Sequence, residues 1–231
     1  MEIDKRPPTA ARQTSKTMNN KYCGVVATIG AIACAIALAA SLHGQAGKGL
    51  LDANVAAEAE LLTLPHLTPA TVKSLIGRRP FLSILELNAF LLGEKLTPDQ
   101  AADLYRKAFV HVNLNTGTRE EIVLIPGAGQ RMAREFAEYR PWKNWAQFDK
   151  EIGKYVGQQE TERLKQYVFI PVNLNTASDE DMLSIPGAGP RMVRGFKEYR
   201  PWKTKEQFDK EIGKYVGPKE TSRLWRYVVI Q

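Results

Sequence analysis

The order of hydrophobic and polar residues divides the chain into an apolar N-terminal stretch and a longer part with helical periodicity. Residues 22–47 carry no formal charge, and residues 25–42 are almost all Ala, Ile, Val and Leu. Farther along, apolar residues recur at helical spacing, as in Met132, Phe136 and Tyr139. The pattern predicts an all-α protein in which several helices follow an N-terminal hydrophobic helix.

Residues 112–231 contain one 60-residue pattern twice, because "IPGAG", "EYRPWK" and "QFDKEIGKYVG" all recur at that offset. The two copies, 112–171 and 172–231, abut without a linker. Residues 47–111 form a fainter first copy, in which 66–68 read His-Leu-Thr where the others have Gly-Ala-Gly. We expect this degenerate copy to keep the helices and to lose the glycine turn.

Each copy reads as two helical hairpins. Thr118 and Glu121 have the spacing of an N-terminal cap, and that helix must end before Pro126. Gly127 and Gly129 can adopt positive φ before the next helix. The equivalent residues of the third copy are Ser178, Asp181, Pro186, Gly187 and Gly189, with Pro190 at the first turn. Asn144 or Thr204 then caps a third helix that ends at Gly157 or Gly217, and a fourth helix follows.

The glycine turn is a candidate anion site. Backbone amides at the start of a helix have no partner within it and lie at the positive end of the helix dipole. A phosphate oxygen can approach Gly127 and Gly129 closely, and Arg131 and Arg134 follow on the next helix. Such contacts would not distinguish one base sequence from another.

The segment "VNLNTASDEDMLSIPGAGPRM" resembles the helix-hairpin-helix repeat of the ComEA family of competence proteins, which are exported, membrane-anchored DNA receptors. The resemblance covers the second and third copies fully and the first loosely. It implies a fold of tandem helix-hairpin-helix repeats and binding of duplex DNA through its phosphate backbone. The phosphate-binding residues would be Gly127, Ala128, Gly129, Arg131, Arg134, Gly187, Ala188, Gly189, Arg191 and Arg194. Ala128 and Ala188 depart from the family, which usually has a larger aliphatic residue there.

The N-terminal region predicts export. Residues 1–21 form a basic tail that the positive-inside rule keeps in the cytoplasm. Residues 22–46 fit either an uncleaved transmembrane anchor or a signal peptide cleaved after Ala46. In both cases the copies lie on the extracytoplasmic side, in a periplasm, at a cell surface or in a lumen.

Charge and composition limit the classes of function that are expected for the chain. Of the formal charge of +7, +4 belongs to residues 1–50, and the three copies from residue 51 onward carry −1, +1 and +3. If any copy binds DNA, the third is favoured. Cys23 and Cys34 both lie in the apolar stretch, and His43, His66 and His111 are scattered, so no metal site, cofactor or catalytic group is predicted. The chain is not expected to be an enzyme.

The alternative is a structural subunit of a membrane-associated complex that uses the copies for protein contacts, as in a lumenal extrinsic subunit of photosystem II with similar repeats. The glycines would then only turn the chain. Aromatic residues at equivalent positions favour core packing over base stacking. They are Trp142, Trp202, Tyr155, Tyr215, Tyr167 and Tyr227, whereas Trp145 and Trp225 occur in one copy each and are candidate surface contacts.

Overall fold

The computed structural model describes residues 49–231, and the prediction of a mostly helical chain is confirmed there. The basic tail 1–21 and the hydrophobic segment 22–46 lie outside the described residues. Between residues 49 and 231, no helix is both long enough and apolar enough to cross a membrane.

Within residues 49–231, the three copies present their elements in a similar order, and the first has four helices where the second and third have three each. The first contains β1 (Leu51–Asp52), α1 (Glu58–Leu61), α2 (Pro69–Arg78), α3 (Ile84–Gly93), α4 (Pro98–Leu104) and β2 (Ala108–Phe109). The second contains β3 (Val112–Asn113), α5 (Arg119–Ile122), α6 (Gln130–Glu138), α7 (Trp145–Lys165) and β4 (Val168–Phe169). The third contains β5 (Val172–Asn173), α8 (Asp179–Leu183), α9 (Pro190–Glu198), α10 (Lys205–Trp225) and β6 (Val228–Val229).

The helices begin where the capping pattern predicts. The side chains of Thr118 and Ser178 accept hydrogen bonds from the third amides of α5 and α8, and Asn144 and Thr204 cap α7 and α10 in the same way. Gly157 and Gly217 interrupt α7 and α10 with φ of +76° and +77°. The predicted third helix therefore does end at these glycines, but the fourth helix follows at once without a loop.

Short parallel strands, which the helical pattern did not predict, close each copy. β1 pairs with β2, β3 with β4, and β5 with β6, two residues to a strand. The amide of Val112, for example, donates to the carbonyl oxygen of Tyr167 over 2.9 Å. Because the chain enters and leaves each copy side by side, its backbone groups satisfy one another there.

In each copy, the side chains of an arginine and an asparagine link the residues around the first strand with the loop that follows the second helix. Arg140 donates from Nε to the carbonyl oxygen of Leu114 over 2.7 Å and from Nη2 to that of Gly117. Asn115 exchanges two hydrogen bonds with the backbone of Trp142. The same contacts are made by Arg79 and Asn54 in the first copy and by Arg200 and Asn175 in the third. Much of the recurring "EYRPW" is therefore explained by folding.

The core is shared unequally among the copies. The first and second copies contribute to one continuous cluster of buried residues, whereas the third has a separate cluster. The predicted burial of Trp142, Trp202, Tyr167 and Tyr227 is confirmed. The prediction is wrong for Tyr155 and Tyr215, which are 38% and 51% exposed, because their hydroxyls meet those of Tyr139 and Tyr199 at the surface.

Candidate nucleic-acid interface

The hairpin of the second copy turns at Gly127 and restarts the helix at Gly129. Gly127 has φ of +81°, which only glycine adopts readily, and the amide of Ala128 donates back to the carbonyl oxygen of Ile125 over 2.9 Å. Gly129 is the N-cap of α6 and provides no side-chain cap hydrogen bond. The third copy repeats this arrangement at Gly187 (φ +78°), Ala188 and Gly189.

The first glycine of each hairpin is closely packed. A Cβ built on Gly127 would lie 3.0 Å from Nη2 of Arg163 and 3.9 Å from a carboxylate oxygen of Glu160. A Cβ built on Gly187 would lie 3.0 Å from Nη2 of Arg223 and equally close to Val55 of the first copy. The two arginines are held by bidentate hydrogen bonds to Glu160 and Glu220. The first glycines therefore serve the turn and its packing.

The second glycine of each hairpin is open. A Cβ built on Gly129 or on Gly189 would meet no heavy atom within 4 Å. Gly129 is exposed and Gly189 is half-exposed. The start of α9 offers fewer free amide donors than the start of α6, because Pro190 has no amide hydrogen and the amide of Met192 donates to the carbonyl oxygen of Gly189 over 2.9 Å.

Ala128 and Ala188 have another role than the predicted phosphate contact. Both side chains are buried in the core, and both amides are committed to the turn, to Ile125 and Ile185. Both alanines therefore anchor the hairpin from inside the fold.

The four predicted arginines lie on the exposed faces of α6 and α9, but they differ in their partners. Nε of Arg131 is 3.8 Å from the carboxylate of Glu135, and its guanidinium lies 5.2 Å from the ring centroid of Tyr155. Among the described residues, Arg134, Arg191 and Arg194 have no acidic group within ion-pair distance. Of these four arginines, two in the third copy and one in the second have no ion-pair partner in the described part of the chain.

The two hairpins also border different surfaces. Residues 123–129 line a groove of about 580 Å³ against α3 and α4 of the first copy. In the third copy, Gly187 and Gly189 line a cleft of about 500 Å³ between α9 and α10. This cleft contains Gly195 and Tyr215, neither of which was predicted to be a site residue. The signal was present in the sequence, because Gly195 stands where the second copy has Glu135.

The first copy keeps the turn that its sequence was expected to lose. His66, at the position of Gly127, adopts φ of +64°, and Nε2 of its ring lies 3.0 Å from the carboxylate of Asp103. Thr68 replaces the second glycine, and its hydroxyl accepts a hydrogen bond from the backbone amide of Thr71 over 3.1 Å. What the first copy lacks is the open helix start, because a side chain caps it.

A buried polar cluster joins the first and third copies. Nδ1 of His111 lies 2.9 Å from Oδ2 of Asp52, and the Tyr227 hydroxyl donates to the same oxygen over 3.3 Å. Burial acts to raise the pKa of Asp52, but the hydrogen bond to His111 and the charges of His111 and Arg223 outweigh it, so this pKa lies below its usual value. Nowhere in residues 49–231 do three or more His, Cys, Asp or Glu residues form a group that could hold a metal ion.

Comparison of the chain with protein-family models, with curated proteins and with solved structures gives no match.

Proposed function

We propose that the chain binds DNA without base specificity, through phosphates held at the starts of α6 and α9. The observation that carries the proposal is the open space around Gly129 and Gly189, next to exposed arginines with no ion-pair partner among the described residues. An uncapped helix start with adjacent cations attracts a phosphate through both its amides and its dipole.

The third copy is expected to bind more strongly than the second. It carries eleven basic and eight acidic residues, and its Arg191 and Arg194 are both unpaired within the described part of the chain. In the second copy, Glu135 partly neutralises Arg131. The first copy is not expected to bind, because Thr68 caps its helix start and Asp103 places a negative charge beside the turn.

The cellular location of the proposed DNA binding is inferred from the sequence. Tandem helix-hairpin-helix repeats similar to those of the ComEA family, downstream of a hydrophobic segment at 22–46, support an exported, membrane-tethered DNA receptor. The binding would take place on the extracytoplasmic side of the membrane.

The test gives the starts of α6 and α9 the threonine cap that the first copy has. The double variant Gly129→Thr and Gly189→Thr copies Thr68, and both backbones are extended, with φ of −85° and −105°, which threonine adopts. Since threonine and glycine are similar N-caps, stability should change by less than about 0.5 kcal/mol. Affinity for a labelled blunt duplex should fall at least about tenfold if the phosphates contact these amides, since that corresponds to roughly 1.4 kcal/mol.

The control is the double variant Gly153→Ala and Gly213→Ala. These glycines occupy equivalent places in α7 and α10, and an added Cβ would make only ordinary contacts with Thr161 and Thr221. It should bind like the wild type. Binding by the wild type should weaken as salt rises, because counterions are released on association. A wild-type protein that fails to bind duplex at low salt, or a threonine variant that binds unchanged, refutes the proposal.

A second candidate function, a structural subunit, is favoured by exposed leucines in the first copy. Leu85 and Leu92 lie seven residues apart on one face of α3 and are more than a third exposed. If this face docks on a protein, the intact chain should purify from its native membrane with a stoichiometric partner. The variant Leu85→Ser and Leu92→Ser should lose that partner, whereas Gly129→Thr and Gly189→Thr should retain it.

A further inference from the structure

The cleft of the third copy differs from the equivalent place in the second at one decisive position. Gly195 lies in the middle of α9, where Glu135 lies in α6. A glycine inside a helix lowers stability by roughly 0.5–1 kcal/mol relative to alanine. Neither the backbone nor the packing requires it, because its φ is not in the left-handed region and an added Cβ would meet only Ile212, at 3.9 Å. Its effect is to leave the space beside it empty.

In the second copy that space is filled. The side chain of Glu135 is only 14% exposed and draws Arg131 to within 3.8 Å. The hydrogen bond to Tyr139, burial and the proximity of Glu135 together raise the pKa of Tyr155 to about 12. Two cations, Arg131 and Lys154, lie over the Tyr155 ring. The ring of Tyr155 is therefore partly covered by side chains of its own copy and is 38% exposed.

In the third copy the aromatic surface is more open. Tyr215 is 51% exposed, and its hydroxyl is positioned by Tyr199 at 2.9 Å. Lys214 lies over its ring at 5.2 Å, but among the described residues no arginine takes the place that Arg131 has over Tyr155. Without a carboxylate at position 195, Arg191 stays unpaired.

The cleft that results has the features of a site for a planar anionic ligand. Its volume of about 500 Å³ lies within the range of small-molecule sites, roughly 300–1,000 Å³. Met192, Ile212 and Val216 supply an apolar floor, and Tyr215 supplies a π-face. Arg191 and Arg194 contribute cations, and Glu198 can accept a hydrogen bond from a base amino group. A fully paired duplex presents its phosphates but keeps its bases stacked inside, so it cannot use the floor or the tyrosine.

We propose that this cleft binds one unpaired nucleotide, with the base between Tyr215 and the apolar floor and the phosphate at Arg191 and Arg194. The third copy would thereby prefer DNA with a single-stranded end. This inference rests on the proposed function in taking nucleic acid as the ligand, and it adds a preference that phosphate contacts alone do not give.

The test compares three labelled probes with the full-length protein at one salt concentration. They are a blunt 20-base-pair duplex, the same duplex with a five-nucleotide overhang, and the overhang duplex with abasic sugars in the single strand. Stacking of one base is expected to tighten binding of the overhang probe by about fivefold or more over the blunt duplex. The affinity for the abasic probe should be only slightly higher than that for the blunt duplex, because the extra phosphates make a small contribution.

Matched variants locate the effect. Gly195→Gln fills the cleft without adding charge and should remove the preference for the overhang, as should Tyr215→Leu. The equivalent changes in the second copy, Glu135→Gln and Tyr155→Leu, should keep it. Circular dichroism of each variant establishes that the fold is retained.

The outcomes separate the two proposals. Equal affinity of the wild type for blunt, overhang and abasic probes overturns the cleft proposal and leaves duplex binding standing. Equal gains from the overhang and abasic probes also overturn it, because a base is then not needed. Binding of the overhang probe with none of the blunt duplex overturns the proposed function and supports the cleft. If no probe binds and an aromatic acidic peptide does, both proposals fail and the cleft is a protein-docking site.

Discussion

The glycines of the third copy allow a quantitative prediction, because two of them should respond to alanine with opposite signs. Gly195 is helical and its added Cβ would be in ordinary contact with Ile212, at 3.9 Å. Gly195→Ala should therefore raise the free energy of unfolding by roughly 0.5–1 kcal/mol, the helix-propensity difference between the two residues.

Gly187→Ala should destabilise the fold. At φ of +78° an L-residue costs roughly 1–2 kcal/mol. The new Cβ would also lie 3.0 Å from Nη2 of Arg223 and from Cγ1 of Val55, so these side chains would have to give way by a few tenths of an ångström. Together these terms predict a loss of about 2 kcal/mol or more.

Urea denaturation of the full-length protein, followed by tryptophan fluorescence, measures both changes. Thermal denaturation should separate the two variants by several degrees, since about 1 kcal/mol shifts the midpoint by roughly 2–4 °C in a domain of this size. The reasoning fails if Gly195→Ala destabilises the protein by 1 kcal/mol or more. The fold itself would then require this glycine, and the open cleft would be a by-product of packing.

Two further predictions concern contacts that stabilise the fold. Arg200→Lys, which loses the fork that donates to the carbonyl oxygens of Leu174 and Ala177, should lower the free energy of unfolding by about 2 kcal/mol in urea titrations, and an unchanged midpoint would contradict the assigned role. Asp52→Asn should also destabilise the fold at pH 7. Because the folded pKa of Asp52 lies below its ordinary value of 3.8, its stabilisation is present above that pH and is lost as the pH falls through the folded pKa. The difference from wild type should therefore shrink at pH 3, and a difference that grows there would refute the assigned contact with His111.

The sequence predicted helix boundaries well, because these depend on local chemistry. Thr118, Asn144 and Thr204 cap the helices that follow them, and Gly157 interrupts α7 as expected. Each signal acts over three or four residues. Parallel strand pairs such as Val112 with Val168 were missed, because they join positions 56 residues apart and have only two residues on each side.

The predictions that were wrong at the site concerned the surroundings of individual side chains. Tyr155 and Tyr215 recur in equivalent places, which predicted burial, yet their rings lie at the surface beneath lysines. Loss of glycine at residue 66 predicted loss of the turn, yet His66 adopts the same left-handed conformation and is paired with Asp103. A residue that recurs in both copies, or a glycine in a turn, indicates a local requirement of the backbone. Neither indicates which face of a helix is exposed to solvent.

The proposed nucleotide cleft rests on one position at which the second and third copies differ. Their turns, helix caps and the contacts of Arg140 and Arg200 are alike, so these shared features cannot tell which copy binds a ligand. Where the second copy has Glu135 and the third has Gly195, the copies differ in charge, and the neighbouring tyrosine is 38% exposed in the second copy and 51% exposed in the third. Because the glycine is costly in a helix and unneeded by its surroundings, the difference is better explained by something that enters the cleft than by the demands of the fold. In a tandem duplication, a position where the copies differ and where the fold does not require the residue is therefore a stronger indicator of function than the sites that match.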